Sequence, residues 1–132
     1  VDAYFQFKEH SDLVDACDVV LANCYPFWEG CPIDQASGYL KEMYTVTKEA
    51  AKDKKVIITE TGWPDQGSMN AQAQPSTENA IRYFVNVQNW SQQENIEAFY
   101  FSSFDESWKV RHEGDVGQAW GLWDKNEKIK YN

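Results

Sequence analysis

Glu60 closes the run Val56-Ile57-Ile58-Thr59-Glu60 and is followed by Thr61-Gly62-Trp63-Pro64. A carboxylate at the carboxyl end of an apolar strand stands where the loops of an α/β sheet gather, and there it can serve as nucleophile, base or acid. Gly62 permits close backbone approach, Trp63 offers a ring wall, and Pro64 stops the strand. The ordinary alternative is a surface Glu that caps a helix or pairs with a cation. The apolar run before Glu60 and the aromatic ring after it favour chemistry.

A second cluster lies in Phe101-Ser102-Ser103-Phe104-Asp105-Glu106-Ser107-Trp108-Lys109, with Glu113 and Trp120 a few residues on. Acidic, basic and aromatic groups converge there after a strand-like run. A solvated charged loop is the plain explanation for Glu106 and Glu113. Asn23 and Tyr25 end another such run, and strand alternation puts both on one side.

The elements that must carry these groups read as alternating strands and helices. Val19 to Tyr25, Val56 to Glu60 and Ile96 to Phe104 are short apolar runs bounded by turn or helix signals. Asp34 to Lys52 has a helical period through Ala36, Leu40, Met43, Val46 or Thr47, and Ala50, after an Asp cap candidate. Ser76 or Thr77 can cap a helix to about Gln93 with Ala80, Ile81, Phe84, Val87 and Trp90 inward. A short helix from Ser11 to Cys17 and a strand remnant from Val1 to Phe5 precede them. Strand starts at 19, 56 and 96 lie about 40 residues apart, which argues parallel βα units. A doubly wound sheet fits the same alternation, but no glycine-rich phosphate loop follows any strand.

The 132 residues suit one domain, whereas a complete eight-stranded α/β barrel takes roughly 200 to 250. The net charge of −9 and pI near 4.6 would repel nucleic acid and anionic membrane surfaces, so neither is an expected partner. An aromatic fraction of 15% suits a neutral ligand such as a sugar, whose apolar faces stack on flat rings, although many of these rings belong to the core. Cys17, Cys24 and Cys31 lack paired metal-ligand spacing and read as buried free thiols; neither metal nor cofactor is expected. Free thiols lean against a disulfide-stabilised secreted domain. No signal peptide or transmembrane run is visible.

The run Ile58-Thr59-Glu60-Thr61-Gly62-Trp63-Pro64 resembles the signature of glycoside hydrolase family 17, the β-1,3-glucanases and related glucanosyltransferases. Asn23-Cys24-Tyr25-Pro26-Phe27-Trp28-Glu29-Gly30 extends the resemblance, which leans toward the family's bacterial branch. So do Phe104-Asp105-Glu106-Ser107-Trp108-Lys109, Glu113-Gly114-Asp115-Val116-Gly117 and Trp120-Gly121-Leu122-Trp123-Asp124. The resemblance implies an α/β fold, the C-terminal half, about four βα units, of a TIM (β/α)8 barrel, with residues 1–132 forming one partial catalytic domain. It implies that Glu60 is the nucleophile of a retaining enzyme acting on β-1,3-glucan-type polysaccharide. Asn23, Tyr25, Trp63, Phe104 and Trp120 would line sugar subsites, while Glu106, Lys109 and Glu113 support the nucleophile and bind hydroxyls.

A retaining mechanism needs a second carboxyl group about 5 to 5.5 Å from the nucleophile. In the family that acid lies in an Asn-Glu pair at the end of the fourth barrel strand. The only Asn-Glu pair outside helix caps, Asn126-Glu127, follows the last strand, and Glu94-Asn95 is reversed. The expectation is that the acid belongs to an N-terminal half-barrel, that the isolated chain has little glucanase activity, and that its open sheet edges favour association with that half or with itself. Two alternatives stand beside this one. Glu60 could pair with Glu106 or Glu113 within the chain, or the chain could be a non-catalytic carbohydrate-binding module that stacks sugars on Tyr25, Trp63, Trp108 and Trp120.

Overall fold

The computed structural model describes residues 1–131. Four strands, β1 (Asp2–Ala3), β2 (Val19–Asn23), β3 (Lys55–Thr61) and β4 (Ala98–Tyr100), form one sheet in sequence order, and every pairing is parallel. The connections carry α1 (Tyr4–Glu9) and α2 (Ser11–Asp15), then α3 (Ile33–Ala51), then α4 (Thr77–Gln93). After β4 come a 3₁₀ turn (Ser107–Lys109), α5 (Val110–Glu113) and a second 3₁₀ turn (Asp115–Gln118). Strands that neighbour in space as in sequence, each followed by helix, are successive βα units of a barrel wall.

Alternation along the strands decides which face is core. Val20, Ala22, Val56 and Ile58 are buried and share one cluster with Ala36, Leu40 and Met43 of α3 and Ala80, Tyr83 and Val87 of α4. On the other face, Leu21 and Ile57 are half-buried, while Val19 is 37% and Phe99 62% exposed. That face corresponds to a barrel interior, and in this chain it stays largely open.

Several boundaries depart from the sequence reading. The strand expected over Val1 to Phe5 is only Asp2–Ala3, because Tyr4 starts a helix that buries Phe7. The helix expected over Ser11 to Cys17 ends at Asp15, where Lys54 Nζ takes the carbonyls of its last two residues, Val14 (2.6 Å) and Asp15 (3.1 Å), and of Cys17 (2.6 Å) just beyond. Helix α3 begins at Ile33 with Pro32 as N-cap, so Asp34 lies in the first turn and does not cap it; it buries Thr47 and Ala51, not Val46 and Ala50. Ser76 caps α4, accepting from Asn79 N at 3.1 Å.

The inward face of α4 turns on Tyr83, which is fully buried, while Ile81 is 37% exposed and Phe84 half-buried. Tyr83 tolerates burial because its hydroxyl pairs with that of Thr61 at 2.7 Å. Strand β4 stops at Tyr100, well short of Phe104. Beyond it the backbone leaves β3 for residues 120–123: Ser102 N donates to Trp120 O at 3.0 Å, Leu122 N to Ser102 O at 3.0 Å, and Trp123 N to Ser103 O at 2.9 Å. The three cysteines are free, with Cys24 buried and Cys17 and Cys31 half-buried; burial pushes the Cys24 thiol up to about 12.

Candidate active site

Glu60 stands at the carboxyl end of β3, where the sheet register slips: Ala22 pairs with Ile58, but Asn23 pairs with Glu60. The slip re-aims the end of the strand, a usual role of strand irregularities near sites. The backbone is closed there by Cys24 N donating to Glu60 O at 2.8 Å. The side chain is half-buried, and its Oε2 accepts from the Tyr25 hydroxyl at 2.8 Å. Burial first, then the neighbouring Glu60 charge, raises the Tyr25 phenol far above its ordinary range, so it remains a neutral donor. Asn23 is tied down from the adjacent strand, Oδ1 accepting from the Thr59 hydroxyl at 2.8 Å.

Behind Tyr25 stands a box of rings. Trp120 packs edge-on against Tyr25 (5.4 Å), Phe27 (5.5 Å) and Phe101 (6.1 Å) and tilts on Trp28 (5.6 Å). Gly62 makes this closeness possible, because a Cβ there would collide with the Phe101 carbonyl oxygen and lie 3.3 Å from the Trp120 ring.

The charged loop after β4 folds over the same region. Lys109 Nζ sits 2.9 Å from Glu106 Oε2 and 3.9 Å from Glu113 Oε1, and 3.8 Å from the centre of the Phe101 ring. The Lys109 side chain is only 13% exposed, so this is a packed network and not a solvated charge run. Glu113 lies above the usual carboxylate range, chiefly through burial, with the Lys109 charge opposing and the Glu106 and Glu60 charges adding to it. Trp120 Nε1 is buried without a partner in hydrogen-bond geometry, although it is close enough to the Glu113 carboxylate to favour its ionised form.

The structure thus gathers Asn23, Tyr25, Glu60, Glu113 and Trp120, with Glu106 and Lys109 joined through the ion pairs. Three expected sugar-lining rings are placed differently, the first being Trp120, which is 3% exposed and packed behind Tyr25. Trp63 is 1% exposed, wedged against Phe27 and Tyr83 at 5.4 and 5.5 Å, with Nε1 donating to Gln74 O at 3.0 Å. It is held in the core with no free face for a sugar. Phe104 is 47% exposed and tilts on Trp123 at 5.9 Å, outside the aromatic box. The burial of Trp63 and Trp120 also removes two of the four rings on which a simple stacking platform would depend.

Phe101, read only as part of the strand Ile96 to Phe104, and Phe27, quoted only within a motif, both pack on Trp120; the turn of the chain after Tyr100 sets the direction of Phe101. The ion cluster of Asp65, Asp105 and Lys130 joins positions too distant in sequence for any spacing rule. Among the described residues there is no grouping of side chains suited to a metal ion, and no helix is long and apolar enough to cross a membrane.

Comparison with known proteins extends these observations. Residues 1–121 match the BtgE/BtgC glycoside hydrolase domain. A glucan 1,3-beta-glucosidase of Arthroderma benhamiae is 33% identical over 126 residues, covering 86% of this chain and 41% of its own. The glucan 1,3-beta-glucosidase of Saccharomyces cerevisiae is 26% identical over 135 residues, covering 93% and 42% respectively. The crystal structure of a glycoside hydrolase family 17 β-1,3-glucanosyltransferase from Rhizomucor miehei superposes with a TM-score of 0.89 at 33% identity, over 98% of this chain and 46% of that one. The chain therefore spans less than half the length of these relatives, and its open sheet face matches about half of a TIM barrel. Fold, order of motifs and family match agree: this chain belongs to the BtgE/BtgC glycoside hydrolase domain family.

Proposed function

We propose that this chain supplies the nucleophilic half of a retaining enzyme that cleaves or transfers β-1,3-glucan, with Glu60 as the nucleophile, and that residues 1–132 are one partial catalytic domain. The Tyr25–Glu60 hydrogen bond at 2.8 Å carries this reading, because it holds one carboxylate oxygen and leaves the other for attack. In the first step a Glu60 oxygen bonds to the anomeric carbon while the glycosidic bond breaks and the leaving oxygen takes a proton from an acid. In the second step that acid, now a base, takes a proton from water or from a sugar hydroxyl, which displaces Glu60.

The acid is assigned to an N-terminal half-barrel that covers the face of Val19, Leu21, Ile57 and Phe99. The chain's coverage of 46% of the Rhizomucor miehei enzyme supports this division. The relative in complex with laminaritriose, 32% identical with a TM-score of 0.88, supports a β-glucan ligand. Tyr25 borders the sugar site with Trp120 packed behind it, Asn23 orders it through Thr59, and Glu106, Lys109 and Glu113 form its polar wall. Trp63 and Phe104 act by packing.

The test compares this chain alone with the chain mixed with the N-terminal half of a family member, measuring reducing sugar released from soluble β-1,3-glucan. Activity only in the mixture, lost with Glu60→Gln, is the expected result. Activity of the 132 residues alone would place the acid inside this chain and sink the division proposed.

A further inference from the structure

Lys130 Nζ lies 2.8 Å from Asp65 Oδ1 and 2.8 Å from Asp105 Oδ1. The three side chains are 10%, 4% and 17% exposed, so this is a buried group of two carboxylates around one ammonium. Each member comes from a different segment. Asp65 follows Trp63-Pro64, five residues after Glu60, and its N–H donates to Ala119 O at 3.0 Å. Asp105 directly precedes Glu106, and its Oδ1 also accepts from Gly121 N at 2.9 Å. Lys130 follows a tight hairpin in which Asp124 Oδ1 accepts from Asn126 N and Lys128 N at 2.8 and 2.9 Å, and Lys130 N donates to Leu122 O at 3.0 Å.

We infer that Lys130 is a positioning residue for the reaction: its ammonium clasps the loop that follows Glu60 to the loop that carries Glu106 and Lys109, and so sets the distance between nucleophile and polar wall. The inference rests on the functional reading above and adds a residue outside every motif used to reach it. Without the ammonium, Asp65 and Asp105 would face one another with both Oδ1 atoms aimed at an empty centre. Two buried carboxylates in that arrangement either move apart, which carries Glu106 with them, or share a proton. The other titratable groups facing the cluster are Tyr100 and Tyr131, both raised mainly by burial and neutral throughout. Asp124 and Lys125 line the adjoining surface cavity with Asp105. Burial also pulls Asp65 upward while Lys130 opposes it, so loss of Lys130 favours proton uptake.

The test measures kcat and KM from pH 4 to 8 for the mixed half-barrels carrying wild-type, Lys130→Met or Lys130→Arg chain. At pH 7 the Met variant is expected to lose at least about tenfold in kcat with KM little changed, because a misplaced wall costs the transition state more than binding. As pH falls the shared proton should restore most of the rate, and Arg should keep most of it throughout. No loss, or an equal loss at every pH, would overturn the inference. A wild-type mixture that cleaves no glucan would instead sink the functional reading. The clasp is then judged on thermal unfolding of the 132-residue chain, where the Met variant should lose more stability than wild type as pH rises, and parallel profiles would overturn it.

Discussion

The Tyr25 hydroxyl donates to Glu60 Oε2 at 2.8 Å across a sequence separation of 35, which joins the ends of neighbouring parallel strands. A neutral phenol so placed orients the proposed nucleophile without competing for its charge. Tyr25→Phe should therefore lower kcat by roughly 10²-fold in the mixed half-barrels, the usual cost of one preorganised donor, while unfolding of the chain alone changes little. An unchanged kcat would show that the bond serves packing only.

Gly62 and Gly38 make a matched pair. A Cβ on Gly62 would strike the Phe101 carbonyl oxygen, whereas one on Gly38 in α3 meets nothing within 4 Å. Gly62→Ala should destabilise the chain by about 1 to 3 kcal/mol through overpacking. Gly38→Ala should stabilise it by about 0.5 to 1 kcal/mol through helix propensity. Denaturant unfolding of both variants checks the opposite signs.

How much of this could be read in advance follows from what each feature depends on. That Glu60, Tyr25 and the Glu106–Lys109–Glu113 loop lie close together was legible because local motifs carry them, and the two long βα segments, β2–α3 and β3–α4, were legible because their periods are local too. Trp63 was misjudged as a sugar platform, since a ring beside a catalytic carboxylate looks alike in sequence whether it faces outward or packs on Phe27 and Tyr83. The early end of β4 depends on pairing with residues 120–123, and the Lys130 clasp spans 65 positions to Asp65. Neither leaves a periodic trace.

Glu113 links the site to pH. Burial raises this carboxyl above its ordinary value in the folded chain, so the folded state holds the proton more tightly than the unfolded one. The folded chain is then favoured at low pH, and that advantage is lost as pH rises from the unfolded carboxylate value, about 4.3, through the raised folded one. Glu113→Gln should remove this dependence. Its melting temperature relative to wild type should be higher at pH 7 than at pH 4; a constant difference would show that Glu113 is not strained in the fold.

Phe99 projects 62% exposed from the sheet face opposite the helices, between Ala98 and Tyr100, which pair with Ile58 and Thr61. In a closed barrel this ring would be covered by the strands of the proposed N-terminal half, and burying such a side chain contributes about 1.5 to 3 kcal/mol. Phe99→Asp should therefore weaken assembly with the N-terminal half by roughly 10- to 100-fold, measured as the concentration of that half needed for half-maximal activity. Because Phe99 is outside the core cluster, the chain's own unfolding should shift little. Equal assembly of variant and wild type would mean that the open face is not where the second half docks, and the half-barrel division would then need another interface.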